Sequence, residues 1–534
     1  MNLTPVKLPI LRQFLWRLLR GYNYIFLVTA ALLSVIVAVV PAEHKFHLFG
    51  PTLSISICAA LIVAVLAVQL NRYPHVWRPW QTVAVFGGLL VIQLLVAWSL
   101  TSTGSGWDSQ IVLDQAVRYA QTGAIDPALV DYFRTYPNNV ALLSILATLF
   151  RGLSTIGITD FATAATFMNA FVLWLSLVML YLVARRLYGA AVARLTWPLG
   201  LLLLVLSPQI STVYTDTLAM IFPISLWYVA LKIAAAGQGR RRFAWLMLAA
   251  VLSVIGILVK PTVIMATLAA LIAFGVWVML SPAPSAQWRH RRRITIGGTI
   301  VLGLVSLCTY ALYIKSVDTL ALLPYPAANM NQEAMPAEHY MAIGMKASLQ
   351  DGIPAYGVYS AQALANMTAL PDRQSRVEYA RNDIWQQLSE YGVFGYADFL
   401  LKKMVWILSD GTFYAYGEGN TQLEFYHHDP LSQWIRQFLY VGGWGYGGYS
   451  NMAQAVWLAV LLLVALPVAR LRNARRNSFG FTTLVPRLML TGLVIFILLF
   501  EGRARYLFLY VPVIIGLGLY TLKIFEADEA SAAK

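Results

Sequence analysis

Runs of about twenty apolar residues recur along almost the whole 534-residue chain, and that recurrence leaves little choice of fold. Crossing a hydrocarbon core about 30 Å thick takes about 20 helical residues, and in lipid every backbone N–H and C=O must be satisfied within the segment. Twelve spans are read from the sequence, at 22–40, 53–70, 81–100, 161–184, 190–208, 217–236, 243–259, 262–281, 294–315, 452–470, 482–500 and 506–524. A further apolar stretch, Asn139 to Leu153, is short and ends in Phe150-Arg151-Gly152, so it is read as a helix lying at the surface. The expected fold class is an all-α polytopic membrane protein with about twelve transmembrane helices and large outer loops carrying surface helices.

Composition agrees, with 12% charged residues, 59% hydrophobic residues and a mean hydropathy of +0.64, where a soluble domain carries roughly a quarter charged residues. The net charge of +15 does not point to nucleic acid, because the basic residues sit in short loops between apolar runs rather than on a solvated domain. Cys58 and Cys308 both fall inside apolar runs, which supports neither a disulfide framework nor a thiolate metal site. Residues 1–20, with Lys7, Arg12, Arg17 and Arg20 among large apolar side chains and no cleavage pattern, are expected to form a cytoplasmic interfacial helix.

Charge placement orients the chain. If Asn139 to Leu153 does not cross, Arg185-Arg186, Arg240 to Arg242, Arg289 with Arg291 to Arg293, and Arg470, Arg472, Arg475 and Arg476 all share the side of the amino terminus, which the positive-inside rule makes cytoplasmic. Every Asp and Glu except Glu526, Asp528 and Glu529 then lies outside or at the outer interface. Acids are not part of that rule, so a functional outer face is the natural cause. The expected localisation is a plasma membrane, with the functional face outside.

The domain reading follows: 1–80 as the interfacial helix and two spans, 81–315 as a transmembrane core with a first outer loop at 101–160, 316–451 as a large outer loop domain, and 452–534 as the last spans and tail. Both outer loops are too long to be connectors. In the second, Val377, Ala380, Ile384 and Leu388 recur at helical spacing, Phe394 to Leu408 reads as a further helix, and Gly-rich, aromatic Val441 to Tyr449 leads back to the membrane.

The candidate chemistry gathers on this outer side. Asp108, in Gly104-Ser-Gly-Trp-Asp-Ser109, follows the third span beside flexible backbone and an aromatic, a setting that suits a base taking a proton from a hydroxyl; a solvated loop aspartate is the competing reading. Asp216 emerges where the fifth span hands over to the sixth, and a helix cap explains it equally well. Two such acids can divide the roles of base and acceptor orienter. They leave room for a divalent ion, although no close carboxylate spacing calls for one and no cofactor is assigned. Lys260-Pro261 interrupts an apolar stretch, either snorkelling or meeting an anion. Glu501-Gly-Arg-Ala-Arg-Tyr506 sets Arg503 and Arg505 at an outer junction, where they can grip a phosphate or pair with Glu501. His339-Tyr340, Asp410-Gly-Thr-Phe413 and His427-His428-Asp429 complete the polar set; adjacent histidines lack the i, i+4 spacing of a helical metal site.

At these residues the chain resembles the GT-C superfamily of membrane glycosyltransferases, in particular family 39 and its bacterial relatives. The resemblance covers about residues 81 to 524. It rests on Asp108 after an early span, Tyr136-Pro-Asn-Asn139 leading a surface helix, a span ending Ala184-Arg-Arg186, Asp216, and a late Glu501, Arg505 and Tyr506. It departs from the family's frequent Asp-Glu at Asp108-Ser109, and two spans precede the expected first helix.

The resemblance implies an inverting transfer from a polyprenyl-phosphate-linked sugar to an extracytoplasmic glycan, lipid or protein, with membrane lipid and no nucleic acid as partners. It implies Asp108 as the general base with Asp216 as the second catalytic carboxylate, and Lys260, Arg503, Arg505, Lys402 and Lys403 as cations for the donor phosphate; from the polar outer set His339, Tyr340 and Glu501 are expected at the acceptor or sugar. A lipid-linked sugar flippase or other transporter, and a polysaccharide polymerase, are the rival readings. Transporters usually carry midplane ionisable residues and paired broken helices, and Lys260-Pro261 alone offers either.

Overall fold

The structure is a computed structural model and describes residues 10–40, 52–72, 77–103, 107–236, 240–280, 285–350, 352–417, 423–473 and 481–532. Among these residues it is a predominantly helical, polytopic integral membrane protein with almost no sheet. Eight segments are long and apolar enough to cross a bilayer, namely Gln13–Val39, Leu53–Leu70, Pro79–Leu100, Phe161–Tyr188, Thr215–Ala235, Arg240–Val259, Pro261–Leu280 and Tyr446–Ala469. Shorter apolar helices cover Ala190–Val205, Thr483–Leu499 and Val511–Lys523, and the ninth expected span lies within the helix Ser285–Thr319. Each of the twelve expected spans therefore falls on helix, and spans are numbered below in that order.

The expected surface helix at residues 1–20 falls partly outside the described residues. From Ile10 onward it runs without a break into the first span, as one helix Ile10–Val39. Val140–Thr155 forms the short helix expected at the surface, burying Val140, Leu142, Leu143, Leu146 and Phe150 against the helix Asp108–Thr122. The second long loop contains the helix Arg373–Leu408, broken at Gly392 (φ 59°, ψ −178°) into the two pieces that the apolar spacing predicts. The sequence pattern gave no sign of the two small antiparallel ribbons, Ser102–Thr103 with Glu424–Phe425 and Ala347–Gln350 with Ile353–Tyr356.

What positions the site is a set of interruptions at one end of the bundle. Spans that alternate in direction bring every second junction to the same end. There the backbone leaves helix after Leu100, between Leu206 and Tyr214, at Lys260 and at Glu501 to Arg503. Local chemistry explains each stop. Pro208 and Pro261 supply no amide hydrogen, and the residue before a proline is pushed to extended geometry, as Lys260 shows (φ −144°, ψ 112°). Freed backbone groups in an apolar setting need partners. Asn169, fully buried in the fourth span, supplies them: its Nδ2 donates to the carbonyls of Ile210 at 2.8 Å and Thr212 at 3.2 Å.

The two loops are tied to the same end. Besides the ribbon pairing Ser102 with Phe425, Arg436 Nη1 donates to the carbonyls of Ser99 at 2.9 Å and His427 at 2.7 Å, and Trp457 Nε1 donates to Leu408 O at 2.8 Å.

Asn169→Leu should leave the chain inserted but lower its melting temperature, since two buried carbonyls lose their donor at about 1–3 kcal/mol each. A thermal melt of the purified protein in detergent, compared with wild type, reads the effect; an unchanged melt refutes the assigned role.

Candidate functional site

Asp216 stands at the centre. Tyr214, with its partner Thr217, occupies the capping position of the short helix Thr215–Leu218, and the Asp216 side chain turns inward instead. Buried, it pairs through Oδ1 with Lys260 Nζ at 2.8 Å and through Oδ2 with Arg505 Nε at 3.7 Å. An aromatic box closes round the cations. Lys260 Nζ lies 4.7 Å from the Tyr506 ring centre, and the Arg505 guanidinium lies 4.5 Å from Trp107 and 5.6 Å from Tyr214. Ring faces stabilise desolvated cations by about 2 kcal/mol. Residues from three separate junctions thus meet at one carboxylate.

Asp108 opens the helix Asp108–Thr122 and is joined to that cluster through Tyr214. The Tyr214 hydroxyl lies 3.2 Å from Asp108 Oδ2 and 3.0 Å from Asn139 Oδ1. The Tyr132 hydroxyl also bonds to Asp108 and accepts from Asn139 Nδ2 at 2.6 Å. Burial, reinforced by the Asp108 carboxylate, pushes the Tyr132 and Tyr214 phenols up, so both remain neutral donors. They fix where the carboxylate points without neutralising its charge. Asn139, fully buried, orients both tyrosines and is itself held on the Pro137-led turn.

Glu501 and Arg503 form the neighbouring wall. Arg503 Nε lies 3.6 Å from Glu501 Oε1, with its guanidinium 5.5 Å from the Tyr414 ring centre. The Glu501 amide donates to Tyr340 O at 2.8 Å, which brings Tyr340 to the cluster. Tyr136, whose phenol is raised by burial and by Asp108, faces the same space.

Beside the cluster is a small cavity of about 50 Å³, bordered by Trp107, Gln110, Gln209, Thr212, Tyr414 and Arg505 among others. One wall is a strained turn: Phe413 (φ 57°) and Tyr414 (φ 62°) are both left-handed, at a cost of order 1–3 kcal/mol each. Buried Asp410 offsets it, accepting from the amides of Thr412 at 2.8 Å and Tyr414 at 2.5 Å and from the Thr412 hydroxyl at 2.8 Å. Gln209 Nε2 holds Phe413 O at 2.6 Å.

The remaining candidates lie elsewhere. Lys402 is exposed and pairs with Asp398 at 2.6 Å. Lys403 is completely buried, its Nζ directed at the carbonyls of Gly344 at 2.7 Å and Phe500 at 2.6 Å; it joins the segment before Glu501 to the loop domain and points away from the Asp216 cluster. His339 is buried beside Lys346 and Asp383, its pKa pulled down to about 4 by burial and by the Lys346 charge, and it lines a separate small pocket. His427 stacks on Trp98 at 3.4 Å, and Asp429 caps Pro430–Leu439 while accepting from Trp98 Nε1 at 3.1 Å, so this trio clasps the loop to the third span. Among the described residues no group of three or more His, Cys, Asp or Glu can hold a metal. Sequence reasoning did not single out Tyr132, Tyr214 or Tyr414 for the site. Nothing local distinguishes them from the chain's other tyrosines.

A family model described as "conserved hypothetical integral membrane protein" matches residues 11–525. Two solved structures are similar, ArnT from Cupriavidus metallidurans bound to undecaprenyl phosphate and the same protein in the apo state. Each is 13% identical, with 85% of this chain covered, 80% and 79% of that chain covered respectively, and a TM-score of 0.31. No curated protein matches the chain.

Burial brings the Lys403 pKa down to about 7, with Glu501 opposing the shift. The unfolded lysine titrates near 10.4, so between about pH 7 and 10.4 the unfolded chain binds a proton that the folded one has released. Stability should therefore rise with pH across that window, relative to Lys403→Met. Melting curves of both proteins at pH 7 and pH 9 test this, and parallel shifts refute it.

Proposed function

The chain belongs to the family of conserved hypothetical integral membrane proteins, and we propose that it is a glycosyltransferase acting on a polyprenyl-phosphate-linked sugar. The observation that carries this reading is the unlike setting of two neighbouring acids. Asp216 is engaged by two cations, Lys260 and Arg505, whereas Asp108 is held by neutral tyrosine hydroxyls. A carboxylate whose oxygens are committed to two cations suits an organising role, and one oriented by neutral hydroxyls suits the acceptor of a hydroxyl proton. Asp108 is then the base and Asp216 the organiser of the cations.

In the proposed reaction the acceptor hydroxyl oxygen attacks the anomeric carbon as its proton passes to Asp108. The bond from that carbon to the phosphate oxygen breaks with inversion, and polyprenyl phosphate leaves. Negative charge develops on the departing oxygen. Arg505 and Lys260 supply preorganised positive charge for it where water is scarce. The sugar sits at the mouth of the small cavity beside Arg505, where aromatic and carboxamide side chains match a polyhydroxylated ring. Tyr340, Tyr136 and Glu501 border the space left for the acceptor. The acceptor is a cell-envelope glycan, lipid or protein outside a bacterial plasma membrane. This sidedness rests on the basic loops.

Purified protein incubated with a panel of polyprenyl-phosphate sugars should consume at least one of them with release of polyprenyl phosphate. Asp108→Asn should still bind that donor yet lose about 100- to 10,000-fold in turnover. Turnover near wild type refutes the base, and donor movement across the bilayer without bond cleavage favours a flippase. Arg505→Ala should weaken donor binding by about 1.5–3 kcal/mol, the worth of a charge-assisted hydrogen bond; unchanged affinity, read by titration with polyprenyl phosphate, removes Arg505 from the phosphate.

A further inference from the structure

The second piece of the broken helix, from Val393 to Leu408, carries an apolar stripe that none of the described residues covers. Val393 is 83% exposed, Phe394 90% and Leu401 44%, with exposed Ala397 between them, so 394, 397 and 401 line one face at i, i+3 and i+7. Asp398 and Lys402, paired at 2.6 Å, border that face. The opposite face buries Phe399, Lys403, Met404 and Ile407. Phe and Val this exposed are not left to water without a use, and contiguous apolar patches mark interaction surfaces.

Three observations identify the occupant. First, Lys403 is anchored on the carbonyl of Phe500, immediately past the Thr483–Leu499 helix, so this turn of the Val393–Leu408 helix sits where a membrane-crossing helix ends. Nine residues at 1.5 Å each keep Phe394 within about 14 Å of it along the helix, so a helix lying flat on the membrane holds Phe394 at the depth of that span's end. Second, the helix Arg373–Leu408 packs against Ile10–Val39, a candidate membrane span whose own Leu32, Val35 and Val39 are strongly exposed, so this helix adjoins a lipid-facing element. Third, its flanks suit an interface: Tyr391 and Tyr396 beside the break, and Lys402 with an aliphatic stem and a charge able to reach the headgroups.

We propose that Val393 to Leu408 is an amphipathic helix seated in the outer lipid-water interface, with bilayer lipid as the partner of the Phe394, Ala397 and Leu401 face. Such helices lie about 5–10 Å deep at the headgroup–acyl boundary. Because the same helix holds the Phe500 carbonyl through Lys403, its seat in the lipid sets the position of the segment carrying Glu501, Arg503 and Arg505. The inference needs only that the chain is an integral membrane protein and stands apart from the proposed reaction.

The test uses the full-length protein with Cys58 and Cys308 replaced by serine and a nitroxide label on Phe394→Cys, Leu401→Cys or, as a solvated control, Glu390→Cys. Each is reconstituted at one protein per nanodisc of phosphatidylethanolamine and phosphatidylglycerol. Collisions with oxygen, which concentrates in lipid, should exceed those with a water-soluble nickel chelate at 394 and 401, and the ratio should invert at 390. A nickel-dominated label at 394 overturns the proposal. So does a second copy as occupant, which would show as dipolar broadening in crowded liposomes together with nickel access in single-copy discs.

Discussion

The pairing of Asp216 with Lys260 and Arg505 is the constraint on which this end of the molecule depends. Each partner sits at a different interruption, between the fifth and sixth spans, between the seventh and eighth, and between the eleventh and twelfth. None of these charges is tolerable alone in so buried a place, because removing one member of a buried pair leaves an uncompensated ion at a cost of several kcal/mol. The three junctions must therefore arrive together. The helix breaks make the charges reachable and the charges fix where the breaks meet.

Two cations on one carboxylate also leave the cluster richer in positive than in negative charge at that point. Arg505 Nε is 3.7 Å from Asp216, longer than a good charge-assisted hydrogen bond, while Lys260 at 2.8 Å is tight. In the proposed reaction the donor phosphate arrives beside Trp107 and Tyr506 and engages Arg505. Arginine suits this task better than lysine, since its planar fork matches phosphate oxygens and stacks on the ring faces already in place. The strained Phe413–Tyr414 turn belongs to the same economy of structure. It sets the Tyr414 ring under Arg503 and across the cavity, and Asp410 with Gln209 holds it there.

The spans were legible in the sequence because lipid enforces them residue by residue. The surface helix at Val140–Thr155 was legible because it is too short to cross and buries one face. Asp108, Asp216, Lys260 and Arg505 stood out because charge at an apolar boundary is costly and rare. The proximity of three of them was not readable, since nothing local in the sequence says which junctions touch. Asp216 shows the limit well: its position in the first turn of a helix fits a cap, and its side chain goes to Lys260 because Tyr214 has taken that place. Lys402 and Lys403 show it again. Adjacent in sequence and alike in chemistry, they leave one helix in different directions, one to the exposed Asp398 and one onto buried carbonyls.

In the proposed reaction Asp108 and Asp216 differ by their partners. Asp108 exchanges a proton in each cycle of that reaction, so its partners have to accept both charge states. Phenols donating to Asp108 can do so: when the carboxylate gains a proton, Tyr214 can turn its hydrogen to Asn139 Oδ1 at 3.0 Å. Lys260 has no such freedom, because a protonated Asp216 would leave its ammonium buried against a neutral group. A hydrogen-bond network with an alternative acceptor tolerates protonation, and an ion pair resists it. Asn139, unremarkable in sequence except for its place in Tyr136-Pro-Asn-Asn, is the residue that gives Asp108 this latitude.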